Sequence, residues 1–183
     1  MKLVILAFLL AGVLSFSQSC ISTSEVTIEN TATFPTVSGS DLQGDLRTLP
    51  KDLTAERTIL VVAFERWQQS LCDEWYTPIE AYLKQNEHAE YFEIPTIAKM
   101  NPFTRWFIYQ GMRGGIKDPE MRRRVVTLHI DKKPFKEALN IDSEKTVYVY
   151  ILSKNGTILK KIDGKYSPEK WQEALEVLDA KDQ

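Results

Sequence analysis

The sequence predicts an α/β fold in which strands alternate with helices and the last two strands form a hairpin. Three observations carry that reading. The apolar run Thr58-Ile59-Leu60-Val61-Val62-Ala63-Phe64 has the unbroken hydrophobicity of a strand covered on both faces, and residues at helical spacing follow it. Two pairs, Asn101-Pro102 and Asp118-Pro119, each join a helix N-cap to a proline at the first helical position, where its missing N–H is no loss. Asn155-Gly156 separates two β-rich runs and is followed by an amphipathic stretch.

With 183 residues, 43% of them hydrophobic and 26% charged, the chain is long enough for one domain with a full core. It contains only two cysteines, Cys20 and Cys72, which excludes a disulfide scaffold and a cysteine-based zinc site. Met1-Lys2 followed by the apolar residues 3–14 has the charged start and short apolar core of a secretory signal, shorter than the ~20 residues a membrane span needs. Three fates stay open at its end: cleavage before Gln18, with Ser15 and Ser17 as the small residues; lipidation of Cys20 after the poor lipoprotein box Ser17-Gln18-Ser19-Cys20; or retention as an uncleaved anchor. Residues 1–20 are read as a signal peptide or lipoprotein signal, 21–33 as a linker and 34–180 as a single domain. Export to the periplasm or cell envelope is expected, with a membrane anchor if Cys20 is lipidated.

Within the domain, turn signals at Pro35, Gly39 and Gly44 predict an extended lead-in carrying a hairpin. The buried strand 58–64 comes next, with a helix opening after Cys72 on Trp75, Ile79, Tyr82 and Leu83 and strained by Pro78. Tyr91-Phe92-Glu93-Ile94 reads as a strand. Asn101-Pro102 opens a helix of Phe103, Trp106, Phe107 and Tyr109 that stops at Gly114-Gly115. A short helix from Asp118-Pro119, a strand over 125–130 and a short helix over 134–139 follow. Strands over 146–152 and 157–162 flank Lys154-Asn155-Gly156, and 168–178 forms the closing helix.

Phe34-Pro35, Asp41-Leu42-Gln43-Gly44 and Leu49-Pro50 in the lead-in, the strand through Phe64, and the late hairpin ending at Gly164 resemble, in their order and spacing, the thioredoxin-like superfamily. The nearest likeness is to its TlpA-like periplasmic branch and to the mitochondrial ATP synthase assembly factors. The resemblance spans roughly residues 34–178 and implies three layers: a central mixed β-sheet flanked by helices, with an N-terminal hairpin lead-in. It also implies that residues 99–124 are an insertion, an enlarged basic helical crossover.

Two positions depart from that family. Redox members carry a Cys-x-x-Cys pair at the strand-to-helix junction, where the helix N-terminus lowers the thiol pKa. Here the stretch is Gln69-Ser70-Leu71-Cys72, with an amide in the nucleophile's place. Redox members also place a cis-proline before a threonine beside the thiol, and here Lys145 precedes Thr146. Cys72 therefore has two readings, a small buried apolar residue or a single redox thiol. A peroxiredoxin would carry Pro-x-x-x-Thr-x-x-Cys, but Glu65 and Gln69 stand at those positions.

Other chemistries find little support. His88 and His129 lack carboxylates at metal-ligand spacing, so no metal and no cofactor are expected. No glycine-rich phosphate loop or Ser-His-Asp arrangement is present, and Asp73-Glu74 are adjacent and point to different helix faces.

Charge is unevenly distributed. Residues 99–136 hold ten Lys/Arg against three Asp/Glu, in a chain of net charge −2. Arg105, Trp106, Phe107, Arg113 and the run Arg122-Arg123-Arg124 form a candidate binding surface for a protein client, membrane-associated or not, or for an anionic membrane. The bland alternative is aromatics capping the sheet beside a solvated basic face. The export signal and the net charge argue against nucleic acid. The leading expectation is an exported protein without dithiol redox activity that binds, chaperones or assembles an envelope client. The alternatives are a thiol-dependent oxidoreductase acting through Cys72 and a lipoprotein interaction module anchored at Cys20.

Overall fold

A computed structural model describes residues 32–180. The signal segment, the lipidation candidate Cys20 and most of the predicted linker lie outside the described residues. Seven strands form one mixed sheet: β1 Val37–Asp41, β2 Leu46–Leu49, β3 Arg57–Ala63, β4 Ala89–Ala98, β5 Val126–Ile130, β6 Tyr148–Ser153 and β7 Ile158–Asp163, in spatial order β2-β1-β5-β4-β3-β6-β7. The parallel core is β3, β4 and β5, and antiparallel pairs extend it on both sides. Among the described residues five α-helices accompany the sheet: α1 Gln69–Leu83, α2 Pro102–Gly115, α3 Pro119–Arg124, α4 Lys132–Ala138 and α5 Pro168–Leu178.

Every residue of β3 is buried because both faces of the sheet are covered, as its uninterrupted apolar run requires. One face packs Ile59, Val61 and Ala63 against Cys72, Trp75 and Ile79 of α1 and Ala174 and Leu178 of α5. The other packs Leu60, Val62, Phe92 and Ile94 against Phe34 of the lead-in and Phe135 of α4. The result is the helix–sheet–helix layering expected of the sequence. At the centre of the first layer Trp75 is wholly buried, and its indole N–H donates to the Gly164 carbonyl at 3.0 Å.

Turn chemistry sets the ends of the elements. Asp41, fully buried, accepts the backbone N–H groups of Gln43, Gly44 and Asp45 at 2.8–3.0 Å and folds the β1–β2 hairpin around a positive-φ Gly44. Asn101 caps α2 by accepting the Thr104 N–H, and Asp118 caps α3 through Glu120, each with the following proline at the first helical position. Helix α2 also ends at Gly115, as read.

The clearest departures from the sequence reading are one strand, two helix starts and a turn; β4 runs over Ala89–Ala98 where the sequence predicts 91–94. Helix α1 opens at Gln69, ahead of Cys72, because a 3-10 turn over Arg66–Gln68 leads into it through a capping box between Glu65 and Gln68. Helix α4 begins at Lys132, since Asp131 supplies the cap and Pro134 falls within the first turn, where it removes no helical bond. At the β6–β7 hairpin Gly156 alone takes a positive φ, +79°, and its N–H closes a turn to the Ser153 carbonyl at 2.9 Å. The loop is thus the three-residue kind with a left-handed glycine at its end, and Asn155 stays in the ordinary region.

Candidate functional site

Gln68 is the organising side chain of the strand-to-helix junction. It is wholly buried, and its carbonyl oxygen accepts from Phe64 N at 2.7 Å and Glu65 N at 3.1 Å. Its amide group donates to the carbonyls of Glu144 at 2.8 Å and Thr146 at 3.0 Å. One side chain therefore fastens the end of β3 to the loop before β6, the loop where the resemblance places a cis-proline. The bonds around Lys145 are trans; the one cis peptide among the described residues joins Leu49 and Pro50.

Next to it, at the position where the family resemblance would place an attacking sulfur, the exposed Gln69 amide donates to Asp73 Oδ1 at 3.1 Å and reaches Glu93 Oε2 at 3.4 Å. Cys72 lies one helical turn on, in the fourth position of α1 and only 1% exposed. Burial pushes its thiol well above the ordinary range, and the carboxylates of Glu93 and Asp73 push it the same way. These three outweigh a backbone hydrogen bond that favours the charged form, and the net effect opposes formation of the thiolate that attacks disulfides or binds metals. Ser70 is exposed and Leu71 half-buried against the α1 side of the core.

The floor of this corner is acidic and buried. Glu93 projects from β4 on the same face as Tyr91, two residues earlier, towards α1. Burial raises its carboxyl pKa to about 7, with Asp73 adding to the rise and the Gln69 amide opposing it. The Tyr91 hydroxyl is buried with no hydrogen-bond partner among the described residues, and burial raises its pKa well above the usual value. Sequence reading missed both Gln68 and Glu93. Signals existed: Glu65-x-x-Gln68 is capping-box spacing, and an acid within Tyr91-Phe92-Glu93-Ile94 sits on the core-facing side of a strand.

The predicted binding surface divides in two. Trp106 and Phe107 of α2 are 57% and 66% exposed, with Phe103 at 74%, so these aromatics do not cap the sheet. Arg105 and Arg123 are exposed, the latter paired with Glu120 at 2.7 Å, and Arg124 is half-buried. Arg113 and Arg122 are committed to the fold: Arg113 donates to the Leu42 carbonyl at 3.0 Å, and Arg122 to the carbonyls of Ile116 and Arg113 at 2.6 and 3.1 Å.

The clearest cavity, about 600 Å³, lies at the ends of β4 and β5. Two of its lysines, Lys132 and Lys136, turn onto Glu144 at 2.5 and 2.8 Å and hold its carboxyl below the usual range. Among the described residues no three His, Cys, Asp or Glu are grouped to hold a metal ion. His129 is kept below its ordinary pKa by burial and by Arg105, and His88 sits 3.4 Å from the Tyr82 hydroxyl.

No protein-family model matches the chain, and no curated protein matches its sequence. Solved structures do match it. The thioredoxin domain of a thiol-disulfide oxidoreductase from Bacteroides vulgatus is 14% identical with a TM-score of 0.53, over 80% of this chain and 94% of that one. A thiol-disulfide oxidoreductase from Bacteroides fragilis is 12% identical with a TM-score of 0.52, over 80% and 98%. BsSco, a member of the Sco family of cytochrome c oxidase assembly proteins, is 13% identical with a TM-score of 0.57, over 82% and 94%. At these identities the likeness is one of fold, and the chain has the thioredoxin-like fold.

Proposed function

We propose that this chain is an exported protein of thioredoxin-like fold that binds an envelope or membrane-associated client, as an assembly or chaperone factor does, without dithiol exchange. The observation that carries the reading is the junction itself: an amide at position 69, bonded to Asp73 and Glu93, and a lone thiol at 72 sealed in the core beside two acids. A dithiol cycle passes two electrons between two sulfurs of one chain, and here the first is absent. Fold alone does not choose an activity, since similar structures include both thiol-disulfide oxidoreductases and an assembly protein. Export rests on the apolar segment 3–14 behind Met1-Lys2.

A second reading keeps Cys72 as the sulfur of a mixed disulfide with a client, on the strength of its place in the first turn of α1. Crosslinking and recovery from intact cells with wild type and Cys72→Ser separates the two. The proposed function expects the same client with both proteins, undiminished by reductant. Recovery that needs Cys72 and is released by reductant would replace it with the mixed-disulfide reading.

A further inference from the structure

Helix α2 is fixed by one face and leaves the other without a partner. On the fixed face the Tyr109 hydroxyl donates to the Leu42 carbonyl at 3.1 Å, Arg113 donates to the same oxygen at 3.0 Å, and Met112 Sδ lies 4.0 Å from the Thr127 hydroxyl. Phe103, Trp106 and Phe107 stand at i, i+3 and i+4 in a stripe beside that face, more than half exposed, with the rings of Phe103 and Trp106 packed 6.4 Å apart on one another. Beyond them, Gly111, Gly114 and Gly115 face open space. Three large aromatics in one exposed stripe far exceed the scattered apolar residues of an ordinary surface.

Charge selects the occupant. Residues 98–117 contain Lys99, Arg105, Arg113 and Lys117 and no Asp or Glu, while the chain as a whole is net −2. Positive charge is thus concentrated along this helix and its two ends. A helix with tryptophan and phenylalanine in one stripe and only positive charge along its own length suits the boundary between headgroups and acyl chains of an anionic bilayer. A protein groove would accept the apolar stripe equally well, but it gives no reason for acids to be missing along twenty residues.

We propose that the Phe103-Trp106-Phe107 face of α2 docks on an anionic lipid surface, the aromatic rings entering the interface and Lys99 and Lys117 meeting the headgroups at either end. This docking stands whether or not Cys72 reacts, so it and the proposed function fail separately.

The test uses the full chain and vesicles of phosphatidylglycerol and phosphatidylcholine in which the acyl chains of one lipid are brominated, so that only tryptophan inserted in the bilayer is quenched. Wild type is expected to lose tryptophan emission on anionic vesicles and to keep it on pure phosphatidylcholine. Trp106→Phe is expected to abolish that quenching, which localises the contact even where the apolar segment 3–14 also binds lipid. Lys99→Glu with Lys117→Glu should weaken binding to anionic vesicles by more than tenfold, at about fivefold for each lost cation, and added salt should do the same. Both lysines are exposed and neither side chain bonds another described residue, so the double variant is expected to unfold at the same urea concentration as wild type. Quenching that survives Trp106→Phe, or equal quenching on neutral and anionic vesicles, overturns the proposal. So does a lipid-independent dimer in sedimentation that Trp106→Phe dissolves, because the face would then belong to a second copy of the chain.

Discussion

At the scale of single residues, Glu93 has the greatest consequence for behaviour in solution. Its carboxyl is raised from 4.5 to about 7 in the folded chain by burial first and by Asp73 after it. Between those values the folded protein holds a proton that the unfolded chain releases, so this group's stabilising contribution is complete below about pH 4.5 and is lost as pH rises to 7. The loss is on the order of 3 kcal/mol. Glu93→Gln keeps the shape and removes the titration; urea unfolding at pH 5 and pH 8 should show the variant gaining on wild type at the higher pH. An identical pH dependence in both proteins would contradict the placement of Glu93. Cys72 makes a companion prediction: in the folded protein its alkylation at pH 8 should be far slower than in urea, because the thiolate is disfavoured and the sulfur is covered. The gap at Gln69 was legible in the sequence because it concerns which atoms are present. The burial of Cys72 was one of the two readings its sequence position offered, and the structure bears it out; the ionisation of Glu93 was not legible, because it depends on what α1 brings against β4.

At the scale of elements, two joints hold the site in shape. Gln68 makes four hydrogen bonds that tie β3 to the loop before β6. Gln68→Ala should cost about 2–4 kcal/mol in urea unfolding, since it leaves buried backbone groups without partners. A loss below about 0.5 kcal/mol would mean that the junction is held otherwise. Gly156 is the second joint. Its φ is +79°, a Cβ there would meet Pro50 at 2.4 Å, and its carbonyl accepts the Phe34 N–H at 2.8 Å. Gly156→Ala should therefore lower stability by about 1–3 kcal/mol and loosen the lead-in against the hairpin, measurable as faster amide exchange at Phe34. Local signals served well wherever a cap or a proline decided the matter: Asn101, Asp118 and Ser167 each begin a helix where the sequence put one. They served less well at α1, where the capping box of Glu65 and Gln68 sets the start ahead of Cys72 and the same glutamine also bonds carbonyls 76 and 78 residues away.

At the scale of the whole molecule, the seven-stranded sheet and its two helical layers form a scaffold whose similar structures include thiol-disulfide oxidoreductases, and its strand-to-helix junction carries Gln68, Gln69 and the buried Cys72. The succession of strands and helices along the chain followed from buried runs, turns and caps, and the layered mixed sheet from the family resemblance. The exposure of α2 did not follow, since the spacing of Phe103, Trp106 and Phe107 suits a covered helix as readily as an uncovered one. The account stands or falls on whether the lone sulfur of α1 performs exchange. Reduction of insulin disulfides by the purified chain in the presence of a small thiol measures this directly. The prediction is a rate equal to that of the small thiol alone, for wild type and Cys72→Ser alike. Acceleration by wild type that disappears in Cys72→Ser would contradict it.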